Sequence, residues 1–129
     1  MTSSSTTTTP DIDIGSFSAR TTVENPGALH VAFRGEADST ALPAFEQFLA
    51  NLHVAAQTAK AKEITLDVRD VAFMNSSSFT KLITWINRVK ELAADAQYRI
   101  KIRSNQNILW QRRSLQALQA FALDLVTIE

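Results

Sequence analysis

The sequence has no cysteine, so disulfide staples, thiolate chemistry and cysteine-based metal sites are all excluded. Its three glycines leave no room for a glycine-rich phosphate loop, and no Gly-x-x-x-x-Gly-Lys segment occurs. Neither sign of charge is in excess. Lys and Arg number 13, Asp and Glu 13, which removes the electrostatic footprint of a general nucleic-acid binder. No apolar run approaches the roughly 18 residues needed to span a bilayer. The N-terminus shows no basic segment leading into an apolar one, so no secretory signal is expected. These absences predict a cytoplasmic protein with no membrane insertion and no nucleic-acid partner.

What is present fits one soluble domain. A chain of 129 residues, 45 % hydrophobic and 20 % charged, can bury a core unaided. Residues 1–15, a Ser/Thr run followed by Pro10, cannot offset the entropy of ordering and are expected to be a disordered tail. The structured domain is then expected over residues 16–129.

Within it the periodicity alternates. Phe17, Ala19, Thr21 and Val23 recur every second residue, and so do Leu29, Val31 and Phe33, which predicts a hairpin turning at Asn25-Pro26-Gly27. Leu42, Phe45, Phe48, Leu49, Leu52 and Ala56 form a helical stripe from about Ser39 to Thr58, with Pro43 in the first turn. Ile64, Leu66 and Val68 read as a strand. Phe79, Leu82, Ile83, Ile86, Val89 and Ala93 read as a second helix, capped by Asn75 or one of Ser76 to Ser78. Tyr98, Ile100 and Ile102 are a further strand, Ile108 to Phe121 a third helix, and Leu125 to Ile128 a last strand. The order β-β-α-β-α-β-α-β predicts an α/β fold with a mixed, mostly parallel sheet of about five strands and three main helices.

Few residues carry chemistry. No Gly-x-Ser-x-Gly elbow exposes a nucleophile, and no HExxH or Cys/His cluster suggests a metal. His30 alternates with strand core residues and His53 lies inside a helix, so neither is placed as a base for a serine. No catalytic residue, cofactor or metal is expected, and the protein is read as a binding module rather than an enzyme. Trp85, beside the second helical stripe, is expected to be partly buried in the core, with a binding hot spot as the other reading.

Two segments stand out together. One is Gly35-Glu36-Ala37-Asp38, between a strand and a helix. The other runs Leu66-Asp67-Val68, Val71, Phe73-Met74-Asn75-Ser76-Ser77-Ser78-Phe79 and Leu82. At this separation and in this order of elements they resemble the STAS family, named for sulfate transporters and anti-sigma factor antagonists. The resemblance covers about residues 16–129. It implies a switch domain in which Ser76 is phosphorylated by a partner kinase that doubles as an anti-sigma-type regulator, and restored by a Ser/Thr phosphatase. Ser77 is the alternative phosphosite. Asn75 stands where the family has Asp, and Ser78 where it has Gly; the first removes a negative charge, the second adds a side chain. The resemblance further implies a partner-binding rim of Glu36, Asp38, Asn75, Ser78, Phe79 and Lys81. For Glu36 and Asp38 a plain turn-and-cap role stands beside that reading. For the serines, simple helix capping stands beside it. The rival function is a constitutive STAS-like subunit or scaffold of a transporter, ATPase or other signalling complex, with no phosphate turnover.

Overall fold

The computed structural model describes residues 11–25 and 27–129. Among these residues, six strands form one sheet: β1 (Ile12–Ile14), β2 (Phe17–Asn25), β3 (Ala28–Ala37), β4 (Glu63–Met74), β5 (Arg99–Arg103) and β6 (Val126–Ile128). Three helices intervene, α1 (Leu42–Thr58), α2 (Ser76–Lys90) and α3 (Leu109–Phe121). Strand order in space follows the sequence, β1 to β6. The first two pairings are antiparallel and the remaining three parallel. Right-handed crossovers between consecutive parallel neighbours place all three helices on one face.

The alternation read from the sequence selects that face. Leu29, Val31, Phe33, Ile64, Leu66, Ile100, Ile102 and Val126 are buried beneath the helices. Phe45, Phe48, Leu49, Leu52 and Ala56 close over them from α1, and Leu82, Trp85, Ile86 and Val89 from α2. Phe17, Phe33, Phe45 and Phe48 form a contact cluster with ring centroids 5.6 to 5.9 Å apart. Such aromatic pairs each add about 0.5–1.5 kcal/mol beyond the area they bury. The opposite face of the sheet is polar, and its charges pair with one another. Lys101 approaches Glu63 and Glu129, Arg103 approaches Glu129, and Arg34 approaches Asp70. No helix among the described residues is long and apolar enough to cross a membrane.

Three sequence expectations are corrected. Of the tail expected over residues 1–15, residues 1–10 lie outside the described residues. Residues 12–14, by contrast, form β1, which pairs with β2 and raises the strand count to six. The tail's composition concealed Ile12, which is 5 % exposed. Helix α1 starts at Leu42 rather than Ser39, because Asp38 turns the chain first: its carbonyl and Oδ1 accept the Ala41 N–H at 3.1 and 3.2 Å. Helix α2 stops at Lys90, short of Ala93, which is exposed.

Burial of Ile12 yields a direct test of the corrected boundary. Ile12→Ala should cost about 2 kcal/mol in urea unfolding, and Ile14→Ala, at a 36 % exposed position, well under about 1 kcal/mol. Equal, small losses would return β1 to the tail.

Candidate functional site

The two motif segments meet where β3 and β4, parallel neighbours, reach their C-terminal ends. Glu36 pairs in register with Phe73, and Ala37 with Met74. Between β4 and α2 stands a single residue, Asn75. The Ala37 carbonyl closes this junction, accepting the Asn75 N–H at 3.0 Å and the Ser78 hydroxyl at 3.3 Å. Asn75 itself is extended (φ −76°, ψ 166°), and its side-chain oxygen accepts the Ser78 N–H at 2.8 Å. That is an N-cap, satisfying one of the orphan donors of the first helical turn.

The cap sorts the serines. Ser78 is fully buried, its hydroxyl committed to the sheet. Ser76 and Ser77 are exposed at the first two positions of α2. Among the described residues, no hydrogen bond engages either hydroxyl; the Ser76 carbonyl accepts Thr80 Oγ1 at 2.9 Å. The first turn of α2 carries no acidic residue, so the helix itself supplies no counter-charge to the positive end of its dipole.

Gly35 has a geometric cause. Its φ is +96°, and a β-carbon there would lie 1.8 Å from the Ser16 carbonyl oxygen. Only glycine permits β2's start to approach β3's end so closely. The acidic residues that follow divide. Asp38 makes the turn into α1, whereas Glu36 is exposed and, among the described residues, has no ion pair.

Glu36, Asp38, Asn75, Ser76, Ser77 and Ser78 therefore gather at one end of the sheet. Phe79 is half-buried against the core. Lys81 turns elsewhere: its Nζ lies 3.1 Å from Glu46 Oε2 on α1. Together with Trp85 and Arg88 it lines a cleft of about 130 Å³ between α1 and α2. Trp85 is core, more deeply than the partial burial expected from the sequence: it is 2 % exposed, with its Nε1 donating to the Tyr98 hydroxyl at 3.0 Å. The same hydroxyl lies 2.7 Å from His53 Nδ1. Burial, then the nearby Arg88 charge, holds His53 below the usual histidine range; burial pushes Tyr98 up. Asp67 is held below the usual carboxylate range chiefly by hydrogen bonds from the Arg69 side chain, at 3.0 and 2.7 Å.

Sequence reasoning missed Gln111. Strand β4 pairs with β5 only as far as Asp67, so from Val68 onward that edge has no strand beside it. The start of α3 takes the vacant place. Gln111 Nε2 donates to the Val68 carbonyl at 2.7 Å and to the Val71 carbonyl at 3.0 Å. Its Oε1 accepts the Asn105 N–H at 2.8 Å, and Trp110 Nε1 donates to Val71 at 3.0 Å. A signal was present: position 111 lies four and seven residues before Leu115 and Leu118, on the buried stripe of α3.

No protein-family model matches the sequence, and no curated protein matches it. Solved structures do. An anti-sigma factor antagonist from Mycobacterium paratuberculosis superposes with a TM-score of 0.56 at 19 % identity, over 79 % of this chain and 80 % of that one. The anti-sigma factor antagonist SpoIIAA in its unphosphorylated form gives 0.57 at 15 % identity, over 86 % and 87 %. At such identities it is the fold that is shared, over most of both chains.

Proposed function

We propose that this chain, whose fold is STAS-like, is a protein-binding switch of the cytoplasm controlled by phosphorylation of Ser76. One observation carries the reading. An exposed, uncommitted hydroxyl opens α2 beside the Gly-Glu-x-Asp rim, while the cap at Asn75 and the buried Ser78 tie the turn to β3. A phosphate at that place gains about 0.3–1 kcal/mol from the helix dipole, so the fold tolerates it. It also adds about −1.5 to −2 charge to a chain whose net charge is zero. A partner packed over the turn would have to bury that charge unpaired, at a cost of several kcal/mol. Release of the partner follows. The partner implied is a kinase that doubles as an anti-sigma-type regulator, and a Ser/Thr phosphatase resets the site. The chain acts by binding rather than catalysis; His53, the histidine nearest a network, is engaged by Tyr98.

The test is intact-mass and phosphosite mapping of protein taken from its native cell, followed by capture of partners with Ser76→Ala and Ser76→Asp. Phosphate on Ser76 is expected, with weaker partner binding by Ser76→Asp; the deficit is about 1 kcal/mol or more, since Asp carries less charge than phosphate. Equal binding by the two variants, with no phosphoserine in the native protein, would replace the switch by a constitutive subunit.

A further inference from the structure

Strand β4 is irregular where it approaches the serines. Against β3 its register advances twice: from Asp67 to Asp70 while β3 moves from Ala32 to Arg34, and from Val71 to Phe73 while β3 moves from Gly35 to Glu36. Each advance is a bulge, which breaks the ladder and bends the strand. On its other edge β5 has already ended. A strand end whose ladder to β3 is twice interrupted and whose other edge has no strand beside it is held by backbone pairing on one side only. Yet this segment runs straight into Asn75 and Ser76 with no linker.

We propose that Gln111 is a positioning residue for the serine turn, standing in for the strand that β4 lacks and so fixing where Asn75 and Ser76 are presented. Its side chain is 1 % exposed and reaches the strand with both N–H groups. The Val71 carbonyl receives a second donor from Trp110, so both of its lone pairs are filled. Asn105 anchors the clamp from behind, through its N–H to Gln111 Oε1 and its Nδ2 to the Arg69 carbonyl at 3.4 Å. Without these donors, buried carbonyls of β4 must turn outward to water, since an unmet buried acceptor is costly. The strand end then moves, and Asn75 with it. The inference rests on Ser76 being the regulated residue, but its geometry is measured separately.

Native-state amide hydrogen exchange on the full chain reads it, at the Asn75 N–H bonded to Ala37 and the Ser78 N–H bonded to Asn75. In Gln111→Leu the opening constant of both amides should rise about tenfold or more, after correction for global stability. In Trp110→Phe, which removes one of two donors to Val71, the rise should be about threefold. Ile12→Ala, destabilised at the far edge of the sheet, controls for global loss and, after the same correction, should leave both amides within about twofold of wild type. A merely structural Gln111 would open these amides no more than Ile12→Ala does, and that result overturns the proposal. Should Gln111→Leu fail to fold, Trp110→Phe decides alone, by the same comparison. Loosened amides without phosphate on Ser76 in the native cell would instead remove the switch reading and leave the clamp standing.

Discussion

Gly35→Ala is expected to destabilise the domain by about 3 kcal/mol or more, because two penalties coincide there. The backbone is left-handed at φ +96°, and the new methyl would lie 1.8 Å from Ser16 O and 2.6 Å from Ser16 C. Those are backbone atoms, so no side chain can swing aside to relieve the clash. The start of β2 must separate from the end of β3, and Phe17, 1 % exposed and packed on Phe33 and Phe45, moves with it. Gly15→Ala supplies the contrast. It too has positive φ (+59°), but nothing lies within 4 Å of its added carbon. The conformational term alone applies there, about 1–2 kcal/mol. Urea unfolding of both variants separates the terms; equal losses would mean that the close approach of Ser16 is absent in solution.

The second large effect distinguishes three adjacent serines. Ser76→Asp and Ser77→Asp place a carboxylate at the exposed start of α2, where the dipole favours it, and should change stability by no more than about 1 kcal/mol in the favourable direction. Ser78→Asp should lose about 3 kcal/mol or more. That position is fully buried, and its hydroxyl hydrogen bonds to a carbonyl that would repel a carboxylate. The same burial keeps Ser78 from being a phosphorylation site in the folded protein. Thermal melts of the three variants suffice as the measurement. A harmless Ser78→Asp would show that the first turn of α2 lies open and that the cap at Asn75 does not hold it.

Much of the architecture was legible because strand and helix periodicities differ. Leu29-Val31-Phe33 and Leu42-Phe45-Leu49-Leu52-Ala56 each declare their inner face without any tertiary information. The serine turn was legible for another reason, since capping is local chemistry written in consecutive residues. What escaped depends on partners distant in sequence. Ile12 is held by pairing with β2 and by burial; Asp11-Ile12-Asp13-Ile14 does alternate, but four residues beside a Ser/Thr run are too few for the period to declare a strand. Lys81, one turn along from the serines, was read with them because sequence spacing could not reveal Glu46 across the α1–α2 contact. Gln111 presented the position of a core residue with the chemistry of a surface one. Its meaning lies in carbonyls some 40 residues away, near Val68 and Val71.

The correspondence between strand order and sequence order bears on how the chain is made. No strand has to insert between two that are already paired. The β1–β2–β3 hairpins can close once Ala37 has emerged from the ribosome, and each later helix–strand unit adds to one growing edge. Domains emerge from the ribosome N-terminus first, at about 5–20 residues per second, so assembly can keep pace with translation. At each stage the edge that grows is that of the last strand formed. The serine turn is complete once α2 has docked, before β5 and β6 exist, but its clamp arrives only with α3. During that interval the turn would be present yet loosely held, and the finished presentation of Ser76 would mark a chain synthesised through α3.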